Sequence, residues 1–121
     1  MRSCIAAYLV FLAFVAATPV AAQSLPDRDC PGTSDASEGI DGKIKRCSDA
    51  IATGSFSGKD LADIYGLRGR DYTIKGDPDH ALADFDQAIA LDSTSATSFF
   101  GRGTAWLAKK DNDREIGRAH V

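Results

Sequence analysis

From residue 40 onward the apolar positions of this chain recur at helical spacing. Ile40, Ile44, Cys47, Ala50 and Ile51 share one face of a helix that begins at Ile40 and ends near Gly54. Tyr65, Leu67, Gly69 and Tyr72 read as the buried face of a second helix, opening at Ser57 and running to about Lys75. Ala81, Leu82, Phe85, Ala88 and Ile89 fall at i, i+1, i+4, i+7 and i+8, which marks a third helix from about Pro78 to Leu91. A fourth runs from Ser95 to about Lys110. Between the second and third, Gly76 suits a left-handed C′ position, Asp77 suits a cap and Pro78 suits a first helical turn. Ser57, with Asp60 three residues on, has the spacing of a capping box. The expected fold class is all-α, built from helical hairpins.

The hairpin recurs along the chain. Tyr65, Arg68-Gly69, Tyr72, Lys75 and Asp77 return as Phe99, Arg102-Gly103, Trp106, Lys109 and Asp111, each 34 residues later. A second correspondence, offset by 38, relates Ile44, Cys47 and Ala50-Ile51-Ala52 to Leu82, Phe85 and Ala88-Ile89-Ala90. Helix–turn–helix content with a period of 34 resembles the tetratricopeptide repeat (TPR). Gly69 and Gly103 match that family's small residue at a close helix contact, and Tyr72 and Trp106 its large aromatic. Ala81, Phe85 and Ala88 match the small–aromatic–small triplet of its second helix, while Ser93 replaces its usual proline. The resemblance spans about residues 40–114 and is nearest to exported TPR proteins of proteobacteria. It implies TPR hairpins stacked as a short α-solenoid. In that scheme residues 38–56 are a degenerate half-repeat, 57–93 a complete repeat and 94–114 the first helix of a further one. Tyr65, Gly69, Tyr72, Ala81, Phe85, Ala88, Phe99, Gly103 and Trp106 are its packing positions.

The first residues carry a different pattern. Arg2 precedes the apolar run Ile5–Ala17, Thr18-Pro19 breaks it, and Val20-Ala21-Ala22 offers a small-x-small cleavage pattern. Residues 1–22 are therefore expected to be a signal peptide cleaved near Ala22, leaving a periplasmic or secreted protein. The run is short for a membrane span. Cleavage removes one of 14 basic residues and none of the 17 acids, so 13 against 17 leaves a net charge of −4. That balance disfavours nucleic acid and anionic membrane surfaces as partners. Residues 23–37, rich in Pro, Gly, Ser and Asp, read as an irregular lead-in. After cleavage Cys30 and Cys47 remain, an even number in an oxidising compartment, and are expected to pair and tie the lead-in to the first helix. Two cysteines with no nearby histidine make a poor zinc site.

Catalytic chemistry is not legible. His80 sits in the first turn of a helix, beside the Asp77 cap, and no Ser/His/Asp or Cys/His set accompanies it. The glycines build no phosphate loop. Asp77/Asp79, Asp84/Asp86 and Asp111/Asp113 lack the Gly and distal Glu of a calcium loop, and Asp84/Asp86 read as an outward, solvated face. Lys43, Lys45 and Arg46 read as the exposed side of the first helix. The expectation is no enzyme activity in this chain, no cofactor and no metal.

The end of the chain departs from the repeat. Period 34 calls for a small residue at 115 and an aromatic at 119, where Glu115 and Ala119 stand. Residues 115–121, EIGRAHV, coincide with one reading frame of a common sequencing adapter, so they are expected to be an artefactual tail on a truncated gene. His120 and Arg118 then bear on no function. Without a second helix to cover it, the last helix is expected to expose Phe99, Phe100, Trp106 and Leu107, and the chain to be marginally stable, to aggregate or to self-associate.

The resemblance implies binding along a concave surface lined by the first helix of each repeat, with a protein partner lying there as an extended peptide or helix. Matching positions are Asp63, Gly66, Arg70, Thr73 and Ile74, then Thr97, Phe100, Thr104, Leu107 and Ala108. Arg70 is the expected carboxylate fork, unless it pairs internally with Asp63 or Asp71, and Phe100 is the expected apolar anchor. Gly66 and Arg70 replace the Lys and Asn of the repeats that clamp chaperone C-termini, which speaks against that ligand. The functional expectation is an exported scaffold or adaptor. The alternative is a docking module of a larger exported enzyme whose catalytic part is missing.

Overall fold

The computed structural model describes residues 29–32 and 37–119. The expected signal peptide, most of the lead-in and His120 lie outside them. Among the described residues there are four helices and no strand: α1 (Ile40–Ala52), α2 (Gly58–Lys75), α3 (Pro78–Leu91) and α4 (Ala96–Ala119). The fold is all-α. No helix among them is long and apolar enough to cross a membrane.

Successive helices run antiparallel, and ion pairs fix their register. Lys75 of α2 reaches Asp41 at the start of α1 (2.6 Å), while Arg68 Nη1, two turns back, donates to Ser48 Oγ near its end (3.0 Å). Between α2 and α3, Tyr72 stacks on His80 with ring centroids 5.0 Å apart, and Arg68 meets Asp84. Between α3 and α4, Lys109 pairs with Asp79 and Arg102 with Asp86. α4 also touches α2, whereas α1 packs on α2 alone.

The core is in two parts. Cys30, Cys47, Ala50 and Ile64 form one cluster between α1 and α2, with Ile51, Phe56 and Leu67 against it. Ala81, Leu82, Phe85 and Ala105 form the other between α3 and α4, flanked by Tyr72. The Cys30–Cys47 disulfide (Cα–Cα 5.2 Å) lies inside the first cluster and ties residues 29–32 to α1. Ile44, Cys47 and Ala50 are buried just as Leu82, Phe85 and Ala88 are, which agrees with the offset of 38.

The α2–α3 turn forms as its residues specify. Gly76 takes φ +87, its N–H bonds to Thr73 O (3.1 Å), and the Asp77 N–H bonds to Tyr72 O (2.9 Å), the two bonds of a Schellman ending. Asp77 Oδ1 accepts from His80 N (3.2 Å) and Pro78 opens α3. At the next junction, Ser95 Oγ accepts from Ser98 N (3.3 Å) ahead of α4.

Five expectations need correction. Ser57 makes no side-chain cap bond: Gly58, at φ +55, intervenes between its hydroxyl and the regular helix. Leu67 does not share the Tyr65–Gly69–Tyr72 face. Two residues along a helix is more than half a turn, and Leu67 packs on the α1–α2 cluster instead. Asp84 is buried rather than outward, 4% exposed, and only Asp86 is solvated. Arg46 is likewise buried, its Nη2 2.6 Å from Glu38 Oε2. Neither that oxygen nor Arg46 Nε makes an aligned hydrogen bond, so the pair is a charge contact rather than a geometric fork. Finally, α4 does not end near Lys110 but continues to Ala119. Lys110 stands where Gly76 stands one period earlier, and Asn112 where Pro78 stands, so neither stop signal recurs.

Candidate partner-binding groove

α2 and α4 lie side by side on α3 and leave an open cleft of about 800 Å³ between them. Of the ten positions expected on a concave face, eight line it: Asp63, Gly66, Arg70, Thr73 and Ile74 from α2, and Thr97, Phe100 and Thr104 from α4. Leu107 and Ala108 do not. Leu67, Phe85 and Gly101 also contribute to its wall, with Asp92, Thr94, Ser95, Ala96 and Ser98 joining Thr97 at one end.

The cleft is more apolar than its composition suggests. Thr73 Oγ1 donates to Gly69 O (3.0 Å) and Thr104 Oγ1 to Phe100 O (3.1 Å), each one helical turn back. Ser95 and Ser98 bond each other (2.9 Å), and Thr94 Oγ1 bonds Asp92 Oδ1 (2.6 Å). With their hydroxyls so occupied, Thr73 and Thr104 contribute methyl surface beside two large side chains: Phe100 is 77% exposed and Ile74 67%. Exposed apolar surface of this kind gains free energy on being covered, at roughly 25 cal/mol per Å².

The charged residues of the cleft have partners inside the chain. Lys59 Nζ bonds Asp63 Oδ2 (2.7 Å), and that hydrogen bond holds the Lys59 ammonium above the ordinary lysine range. Arg70 Nη2 lies 3.3 Å from Asp71 Oδ1, the internal pairing weighed above. Asp71 is buried, and burial pushes its carboxyl above the usual carboxylate value, opposed by Arg70 and Lys43.

The packing positions divide sharply. Gly69, Ala81, Phe85 and Ala88 are buried, with Tyr65 and Tyr72 half-buried beside them. Phe99, Gly103 and Trp106, their counterparts on α4, are exposed. A pairing that sequence reading missed is the fork of Arg68 onto Asp84, through Nε (2.8 Å) and Nη2 (2.7 Å). The signal was the return of Arg68 as Arg102 in the repeat. Among the described residues no group of three or more His, Cys, Asp or Glu could hold a metal ion. His80 Nδ1 is held by Asp77 Oδ2 (2.6 Å), with its ring stacked on Tyr72.

No protein-family profile, curated protein or solved structure matches the chain.

Proposed function

We propose that this chain is an exported adaptor of the tetratricopeptide type, which binds a protein partner as an extended peptide or helix in the cleft between α2 and α4. The observation that carries this is the character of the cleft: two adjacent helices present Ile74, Thr73, Phe100 and Thr104 to solvent, with the hydroxyls turned back to their own helices. An apolar helix face, whose backbone groups are already paired within the helix, can be covered there without stranding a polar group.

Repetition of contacts supports the stacked-hairpin reading. Arg68 Nη1 donates to Ser48 on the preceding helix, and Arg102 Nη1 donates to Asp86 on its own preceding helix (3.1 Å). Ser48 and Asp86 are related by the offset of 38 and the two arginines by 34. Each arginine also stands over an aromatic three residues earlier, Tyr65 at 5.5 Å and Phe99 at 5.3 Å. Export is supported by the residues at the start of the chain and by the Cys30–Cys47 disulfide.

The test compares two substitutions of exposed apolar residues. Phe100→Asp lies in the cleft and Leu91→Asp outside it. A partner captured from the exported protein fraction should be lost with Phe100→Asp and kept with Leu91→Asp. Equal recovery with both variants removes the cleft from the reading.

A further inference from the structure

Among the described residues, the cations lining the cleft are Lys59 and Arg70, and they are held differently. Lys59 Nζ meets Asp63 Oδ2 at 2.7 Å. Arg70 reaches Asp71 through Nε at 3.4 Å and Nη2 at 3.3 Å, both long and both to Oδ1. Two residues earlier, Arg68 spans both oxygens of Asp84 at 2.8 and 2.7 Å. The Arg70 pair lacks the short, two-oxygen geometry of a strong guanidinium fork. Its two ends also sit in different surroundings: the Arg70 side chain is 41% exposed and that of Asp71 4%. Asp71 is not part of the cleft wall. Its carboxyl feels Lys43 of α1 and Asp29 of the lead-in, which lie 3.5 Å from each other and act on it with opposite signs.

We propose that the charge of Asp71 controls what the cleft can bind: ionised, Asp71 draws the Arg70 guanidinium toward α1, and protonated, it yields that guanidinium to an acidic side chain of the partner helix. Such control presupposes the cleft as the partner site. Arg70 is one helical turn from Ile74, and Phe100 lies across the cleft. The matching helix therefore carries an apolar residue over Ile74 and Phe100 and a carboxylate one turn from it, and it binds more tightly in mild acid. Burial favours the neutral form of Asp71 and lifts its carboxyl above the ordinary carboxylate range, while Arg70 and Lys43 oppose that and Asp29 adds to it. On acidification Asp71 thus takes up its proton before a solvated carboxylate on the partner does. Turning Arg70 toward the partner removes one of the two positive charges that favour the ion, so proton uptake and partner binding reinforce each other.

The probe is 2-naphthalenesulfonate, an apolar anion whose charge stays fixed as pH changes, so a pH effect on its binding belongs to the protein. It is titrated into the full chain while the Ile74 methyl resonances are followed. Its affinity should rise about five-fold as pH falls from about 7 to about 4, the effect of one exposed charge-assisted hydrogen bond. Asp71→Asn should hold the acid-side affinity at every pH, and Arg70→Gln the neutral-side one. Wild-type binding that does not change with pH, an equal pH response in Asp71→Asn, acid-side affinity retained by Arg70→Gln, or no response at Ile74 overturns the proposal. Partner capture that is lost with Phe100→Asp beside a flat pH titration leaves the cleft as the partner site and removes only the control by Asp71. Equal capture by the Phe100→Asp and Leu91→Asp variants removes the site itself, and the control with it.

Discussion

The ring of Phe85 lies so close to Gly101 that a Cβ at residue 101 would overlap its Cε1 and Cζ atoms. One repeat earlier the sizes are exchanged: Cys47 stands at the Phe85 position and Leu67 at the Gly101 position, and Leu67 packs against the cluster that holds Cys47. Large meets small at both junctions, with the partners swapped. Gly101→Ala should therefore destabilise the chain by about 1–3 kcal/mol through overpacking, although alanine is the better helix former. Gly103→Ala, two residues on and facing open space, should stabilise it by up to about 1 kcal/mol. Urea unfolding of the two variants side by side checks the contrast, and destabilisation by both would contradict it.

Removing Arg68 strands a buried carboxylate. Asp84 is almost inaccessible and takes two guanidinium bonds from Arg68. Arg68→Met should cost about 3–5 kcal/mol, the range for breaking a buried pair. Arg68→Met with Asp84→Leu should recover most of that loss. Arg102→Met should cost at most about 1 kcal/mol, since Asp86 is solvated and the pair is a surface one. Chemical denaturation of the three variants ranks them.

The disulfide closes a loop between residues 17 apart in sequence and sits within the α1–α2 cluster. Its reduction should lower stability by about 3 kcal/mol on the chain-entropy view. The loss should appear first in α1 and spare α3, which α1 does not touch. Hydrogen exchange with and without reductant reads this helix by helix.

Two aspartates should act in opposite directions as pH changes. Burial raises the Asp71 carboxyl, so the folded chain keeps a proton that the unfolded chain releases near pH 3.9. Stability from this group falls as pH rises from there through the raised folded value. Asp71→Asn removes that decline, so the stability of Asp71→Asn minus that of the wild type should rise with pH across this window and then level. Burial also pushes Asp77 up, but the hydrogen bonds from His80 outweigh it and hold the carboxyl below its ordinary value. Its contribution is present above pH 3.9 and is lost as pH falls through the lowered value. Asp77→Ala should cost about 1 kcal/mol at neutral pH, the usual loss for a helix cap, and little in strong acid. Melting curves between pH 2 and 7 for the two variants test both signs.

Local chemistry was legible in the sequence because it is settled within a few residues. Gly76-Asp77-Pro78 determined a helix ending, a cap and a restart, and the 3.6-residue spacing of Ala81, Leu82, Phe85 and Ala88 determined which face of α3 is buried. The expectation of export suggested the cysteine pair, and eight of the ten positions to which the repeat pointed line the cleft. Tertiary structure alone decided how charge and volume are shared between helices. Asp84 looks like any solvated helical aspartate until α2 brings Arg68 across to it, and Gly101 becomes indispensable only because Phe85 points at it. The free energy of a buried charge or a filled hole depends on atoms many residues away, so no local pattern encodes it. The contrast between Gly69 and Gly103 has the same cause: one residue type at one repeat position, with a helix over the first and open space over the second.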